Sequence, residues 1–255
     1  MQLRLLRHAT CVLWVNGVRI LIDPMLGRAG SMDPVQGAAD QRRIPLVELP
    51  LEEGELLRLI ARLNGVLVTH LHPDHFDPRA AEILPKTLPV FCQPPDAERL
   101  AQLGFQTVVP IEVEHEWRGV RFARTGGRHG TGEVGERMGA VSGFVLRVPG
   151  EPSLYLAGDT IWCAEVEASI AGLWPDVIVL NAGAAQLSSG GPITMTAEDV
   201  VRVCRAAPHA TVVAVHMGAL SHCALDRLGL GSALDQAGVL SQVWIPANGE
   251  SLTFP

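Results

Sequence analysis

A chain of 255 residues with 47% hydrophobic and 18% charged residues has an ordinary globular composition, with ample apolar material for a sizeable core. The net charge of −7 argues against broad, nonspecific binding to nucleic acid or to an anionic membrane, although a sum does not exclude a local basic groove. Five scattered cysteines (Cys11, Cys92, Cys163, Cys204, Cys223) form no CxxC pair, and no apolar run approaches the roughly 18 residues of a membrane span. The expectation is a cytoplasmic protein with no membrane partner.

The first predicted strand is Gln2–Leu6. Cys11–Val15 and Val18–Ile22 flank Asn16-Gly17, a strong hairpin signal, so the apolar opening reads as part of the fold and not as a leader. Glu55–Leu63 reads as a helix stopped at Asn64-Gly65. Strands follow at Val66–Thr69 and Pro89–Cys92, then a helix from Asp96 to Leu103, stopped by Gly104. Further strands are predicted at Val120–Thr125, Ser142–Val148, Ser153–Ala157 and Val177–Leu180. Thr196 and Asp199 resemble a capping box for a helix running towards Ala206. Thr211–His216 and Val243–Ile245 complete the strands. Several of these runs are short, continuously apolar and β-branched, as expected of strands covered on both faces. Early strands come as meanders and later ones alternate with helices, which points to an α/β (α+β) layered architecture. No linker, repeat or low-complexity block divides it, so residues 1–255 read as one domain. Gly126–Gly139 reads as a long, polar, mobile loop.

Chemistry concentrates in His70-Leu71-His72-Pro73-Asp74-His75, directly after an apolar strand. A strand that ends in a loop delivers side chains to one rim of a sheet. Three imidazoles and a carboxylate in six residues are costly to bury without partners, so a merely solvated loop explains them poorly. Alternate residues of extended chain point the same way, so His70 and His72 can ligate one ion together. Asp74 and His75 follow the turn at Pro73 and can face a second. Imidazole with carboxylate suits Zn²⁺, and also Mn²⁺ or Fe. His129 could be a third ligand to the first ion, Asp159 is placed to bridge two cations, and His216 closes an apolar strand. Each alone could equally be a core or loop residue, but all share the end of an apolar strand.

The series HxHxDH, a single His, Gly-Asp-Thr and a late His resembles the metallo-β-lactamase fold superfamily. Leu6-Arg7-His8-Ala9-Thr10, Ile22-Asp23-Pro24, Tyr155-Leu156-Ala157-Gly158-Asp159-Thr160 and Val215-His216-Met217 look like its ascorbate-6-phosphate lactonase-like branch. The resemblance implies a four-layer αββα sandwich with a dinuclear site at one edge of the sheets. It implies that His70, His72 and His129 hold the first metal, that Asp74, His75 and His216 hold the second, and that Asp159 bridges. Two cations close together lower the pKa of a shared water, which gives hydroxide near neutral pH. Asp74 is the candidate for hydrogen bonding the nucleophile or shuttling its proton. His222 is the second catalytic candidate, at the edge of the site, with a structural role as its alternative.

Other residues carry blander expectations. His8 reads as a structural histidine that could approach the site, His115 and His209 as surface groups, and Asp23 as a turn residue bonded to its own backbone. Asn181-Ala182-Gly183 could line the pocket or simply turn, and Cys163 reads as packing. Arg124 and Arg128 are the best-placed anion binders, with solvated surface arginine as the alternative.

The leading expectation is therefore hydrolysis of a small ester, lactone or phosphoester. A nuclease or phosphodiesterase acting on nucleic acid is weakened by the acidic balance and by the lack of a large insertion between the motifs. A metal-stabilised binding protein without turnover is the third reading. β-Lactamase activity is argued against by the absence of a Cys at the later metal positions, and homoserine-lactone hydrolysis by Trp162 where a Tyr is usual. An oxygen-reducing diiron protein would need an electron donor, and no flavin domain is fused. A small-molecule substrate is the expected partner, with a homo-oligomer left open. The loops expected to select it are Gly27–Pro45, Gly126–Gly139 and Gln186–Pro192.

Overall fold

Asn16 and Gly17 both take left-handed backbone (φ 48° and 71°), the pair of positive angles that a two-residue hairpin turn requires. They join β2 (Thr10–Val15) to β3 (Val18–Ile22), and β1 (Gln2–Arg7) pairs antiparallel on the other side of β2. The computed structural model describes residues 1–255. After β3 the chain alternates: α1 (Glu53–Ile60), β4 (Gly65–Val68), α2 (Pro78–Ile83), β5 (Val90–Cys92), α3 (Ala97–Gln102) and β6 (Val108–Pro110). The parallel strands β3 to β6 and the meander form a seven-stranded sheet in the order β14-β1-β2-β3-β4-β5-β6, closed by the late strand β14 (Ser251–Thr253).

The second sheet repeats the plan. It holds β7 (Glu114–Trp117), β8 (Val120–Thr125), β9 (Gly143–Arg147), β10 (Leu154–Leu156), β11 (Val177–Asn181), β12 (Thr211–Val215) and β13 (Val243–Trp244), in the order β13-β12-β11-β10-β9-β8-β7. Its helices are α4 (Gly132–Met138), α5 (Ala164–Leu173), α6 (Ala197–Ala206) and α7 (Arg227–Gln236).

Alternation along each strand explains why the runs are apolar throughout. On β12, Val213 and Val215 enter the layer between the sheets while Val212 and Ala214 face helices. The inter-sheet core sets Leu13, Ile20, Leu67 and Phe91 against Phe122, Phe144, Leu156 and Val179. Outside the first sheet, Leu21, Val66 and Val90 pack with Leu56, Ile60, Ala80 and Leu100 of α1 to α3. Outside the second, Tyr155, Ile178 and Val212 pack with Val166, Ile170, Val200, Val203, Leu230 and Leu234 of α5 to α7. The result is the expected αββα sandwich. No helix is long and apolar enough to cross a membrane.

Every strand expected from the sequence is present. β6, β7 and β14 were not expected, because Glu114-His115-Glu116-Trp117 on an exposed edge carries no apolar run. Of the helices, α1, α3 and α6 match, the last with its Thr196–Asp199 capping box in place. Helix α1 ends at Ile60, and Gly65 opens β4 instead of capping the helix. The segment Gly126–Gly139 is corrected: its second half is helix α4, begun after Thr131.

Candidate metal centre

Strand direction selects one rim of the sandwich. β1 and β3 are both antiparallel to β2, and β3 is parallel to β4, so all three end on the same edge. β8 and β10 are both antiparallel to β9, and β10, β11 and β12 are parallel. The segments leaving these ends carry His8, Asp23, His70–His75, His129, Asp159, Asn181 and His216. The turn at Pro73 is held by His72, whose carbonyl accepts from the amides of His75 and Phe76 at 2.9 Å each.

Two groups of side chains meet there. His70 Nε2 lies 2.9 Å from His72 Nδ1, and His129 Nε2 lies 3.3 Å from the same atom. Three imidazole nitrogens facing one another can satisfy at most part of their lone pairs by hydrogen bonding. A tetrahedral ion with bonds of about 2.0–2.1 Å would hold its nitrogens about 3.3 Å apart. The second group is Asp74, His75 and His216, with His75 Nε2 3.7 Å and His216 Nε2 3.5 Å from Asp74 Oδ2. Asp159 stands between the groups. Its Oδ2 is 3.4 Å from His129 Nε2 and 4.0 Å from His70 Nε2, while its Oδ1 is 3.3 Å from both His75 Nε2 and His216 Nε2.

The fit of this donor set to cations can be tested on the chain itself. His75 Nε2 and His216 Nε2 are buried and have no hydrogen-bond partner, although carboxylate oxygens lie 3.3 Å away. They converge on common points instead of aligning with acceptors, as metal ligands do. Electrostatics agree. Burial would lower the pKa of His75, but Asp159, Asp23 and Asp74 outweigh it and raise it to about 10. Burial opposes the same effect at His216, which Asp159 and Asp74 raise well above the ordinary imidazole value. Burial would raise Asp159, yet His216, His75 and His129 hold it well below the usual carboxylate range. The carboxylates demand positive charge in the space between them, and without a metal it is protons on His75 and His216 that supply it. His70 goes the other way, driven well down by burial and then by His75. The residues fit a cation pair.

The structure brings all seven expected metal residues together, with His222 on the same cleft. That cleft, about 1130 Å³, is walled by Met32, Val35, Ile44, Leu71, Phe76 and Leu187. All three expected loops contribute to it. Arg124 and Arg128 do not: Arg124 donates to the Glu112 carbonyl, and Arg128 pairs with Glu165 at 3.0 Å. Arg43, Arg99 and Arg137 line the cleft instead. His115 lies on β7, and His209 is exposed and stacks on Trp174 at 4.0 Å. Cys163 precedes α5, 3.6 Å from Thr160 Oγ1, and packs in the core as expected.

Three residues were underrated by sequence. Asp23 is not a self-bonded turn residue. Buried at 2% exposure, it accepts from Thr69 N and Thr69 Oγ1 at 2.8 Å each, and its Oδ2 lies 2.9 Å from His75 Nδ1. That contact leaves Nε2 of His75 free to face the cluster. Asn181 donates to Asp159 Oδ1 at 2.6 Å. His8 is fully buried against His216, with ring centroids 3.5 Å apart, and meets Asp74 Oδ2 at 3.1 Å. The available signal was placement: Asp23 and His8 also follow strand ends.

Known proteins of similar sequence and shape identify the family. A family model described as the β-lactamase superfamily domain matches residues 18–217. The UPF0173 protein YddR of Bacillus subtilis is 37% identical, with 100% of each chain aligned. A crystal structure described as a possible metal-dependent hydrolase from Veillonella parvula superposes with a TM-score of 0.95 at 33% identity, over 100% of this chain and 99% of that one. An isothiocyanate hydrolase from Delia radicum gut bacteria superposes at 0.94 with 34% identity, over 100% and 99%. From its fold, its clustered histidines and aspartates and these matches, the chain belongs to the β-lactamase superfamily, in its metallo-β-lactamase fold.

Proposed function

We propose that the protein is a metal-dependent hydrolase that binds two divalent cations and hydrolyses a small organic electrophile, an ester, lactone or phosphoester. The observation that carries this is Asp159, whose two oxygens divide between two separate groups of buried imidazoles. His70, His72 and His129 would hold one cation, Asp74, His75 and His216 the other, and Asp159 both. When bound, Zn²⁺, or alternatively Mn²⁺ or Fe, lowers the pKa of a shared water towards neutrality and polarises the electrophile.

The chain's own residues do the rest. Asp74, with 13% of its side chain exposed, faces the cleft and accepts the proton of the attacking water before passing it to the leaving group. His222 lines the same cleft, with Nδ1 buried and unpartnered, and burial first of all keeps its pKa below the ordinary value. It is a neutral imidazole able to hydrogen bond the substrate. Asp23 holds His75 in orientation, and Asn181 does the same for Asp159. The aliphatic wall of Met32, Val35, Ile44 and Leu71 suits a largely apolar organic group.

A second reading of the substrate is an isothiocyanate, favoured by the 34% identical relative of that activity. Water would attack the central carbon of the N=C=S group, an electrophile that the same donor set can serve. Metal analysis of the purified protein, with a panel of lactones, phosphodiesters and an aryl-alkyl isothiocyanate, tests both. Two metals per chain and turnover of one class are expected, lost in Asp159→Ala and His72→Ala. Full metal content and turnover in those variants would refute the assignment, and tight ligand binding without turnover would favour a binding protein.

A further inference from the structure

We propose that His8 is a positioning residue for the cation pair: its Nε2–H donates to Asp74 Oδ2 and fixes that oxygen on the half of the centre shared with His75 and His216. The inference rests on reading the cluster as a metal centre.

His8 occupies the short turn between β1 and β2, a place where sequence asks only for a residue that turns. Glycine or asparagine would serve better, because His8 takes left-handed backbone (φ 60°), which a side chain bearing a Cβ adopts only under strain. Strain of this kind persists where surroundings over-determine it, and here they do. The His8 carbonyl accepts from the His216 amide at 3.0 Å, which ties the two sheets together at the rim. Its ring is tilted 39° to that of His216 and is fully buried.

Tautomer follows from burial. Nδ1 is buried and has no partner, while Nε2 lies 3.1 Å from Asp74 Oδ2. An orphaned lone pair facing a carboxylate from the other nitrogen would be the worst arrangement, so the proton sits on Nε2 and donates. This is the shortest polar contact of Asp74; those to His216 and His75 are 3.5 and 3.7 Å. Asp74 sits on a turn open to the cleft, with Pro73 exposed beside it, and nothing else holds Oδ2 as closely. The donor from His8 thus sets where the carboxylate stands.

The test compares His8→Leu with His8→Gln. Both carry the same backbone penalty and similar bulk, but only glutamine keeps a donor. Metal content and chelator-competition titrations are read on wild type and both variants, with retention of the ion held by His70, His72 and His129 as the check on folding. His8→Leu is expected to weaken the second ion by about 10–100-fold, the usual effect of losing an outer hydrogen bond to a ligand, and His8→Gln to recover most of it. Two ions bound with wild-type affinity by His8→Leu would overturn the proposal. Equal loss in both variants would also overturn it, because the imidazole itself would then be a ligand. A wild-type chain that binds no ion would instead refute the metal-centre reading.

Discussion

Replacing Asp23 with asparagine exchanges one carboxylate oxygen for an NH₂ group and leaves volume and backbone alone, since asparagine tolerates the left-handed conformation of this position (φ 45°). The carboxylate now receives Thr69 N on Oδ1, and Thr69 Oγ1 with His75 Nδ1 on Oδ2. An amide has one oxygen to offer. Turned towards Oδ2, it places its NH₂ against the Thr69 amide, two donors face to face. Turned towards Thr69 N, it presents NH₂ to His75 Nδ1, which must then accept, and the imidazole proton moves to Nε2. That is the tautomer that cannot ligate. Either way one buried donor or one tautomer is lost, a cost of about 1–3 kcal/mol, equivalent to roughly 5–150-fold in affinity. Competition of the protein with a fluorescent zinc chelator reads that loss directly, with Thr69→Val as a comparison that keeps the Asp23 carboxylate on His75 Nδ1 but removes the hydroxyl lying 2.8 Å from Asp23 Oδ2, 3.1 Å from His70 Nδ1 and 3.5 Å from His75 Nδ1. Wild-type affinity for both ions in Asp23→Asn would refute the role given to Asp23.

Loading with metal at pH 7.5 should release about two protons from side chains, because His75, with its pKa raised to about 10, and His216, raised well above the ordinary imidazole value by Asp159 and Asp74, are both charged beforehand. Calorimetry in two buffers of different ionisation enthalpy measures this, and no release would contradict it. In the metal-free chain the sign is fixed by the same raised pKa: the contribution of His75 is complete below about 6.5 and is lost as pH rises through about 10, so denaturation midpoints should fall over that window. Arg7 is fully buried and donates to the carbonyls of Val47, Met25 and Gly27, at 2.8–2.9 Å. Arg7→Leu should cost about 3 kcal/mol and lower Tm by about 6–12 °C, with a raised KM because the same segment walls the cleft; an unchanged melting curve would count against it. Gly183→Ala would put a Cβ 2.2 Å from the His216 carbonyl and 2.9 Å from Cys223 Sγ. His216 must shift, so one ion per chain is expected by metal analysis, and two would show that the backbone yields without consequence.

The strands were legible because both sheet faces are covered: residues 177–180 and 212–215 are apolar at every position, and such runs stand out. The HxHxDH segment was legible because no structural role collects three imidazoles in six residues. Helix α7 was not, since Arg227-Leu228-Gly229-Leu230-Gly231 reads as a loop until the Asp226 carboxylate caps Gly229 N at 2.7 Å. Helix α5 hid for another reason: it is apolar on more than one side and has no capping side chain. Around the site, sequence identified the residues that converge on the histidine–aspartate cluster and missed those that touch it only through another side chain. Asp23 and His8 look like any turn residue until Asp23 is set beside Thr69 and His8 beside His216. Only pairing between distant segments shows what they touch.

On the proposed dinuclear reading, the division of the candidate ligands between two sheets would make the cation pair a cross-link. His70, His72, Asp74 and His75 hang from the first sheet, while His129, Asp159 and His216 hang from the second, and they span most of the chain in sequence. An unfolded chain cannot present them together, so free metal draws the equilibrium towards the closed sandwich, by about 2.7 kcal/mol at a hundredfold excess over Kd. Prising the sheets apart and releasing the ions become one event. Metal loss should therefore be slow while the sandwich holds, and its rate should track the opening of the inter-sheet core and not the lability of any single ligand.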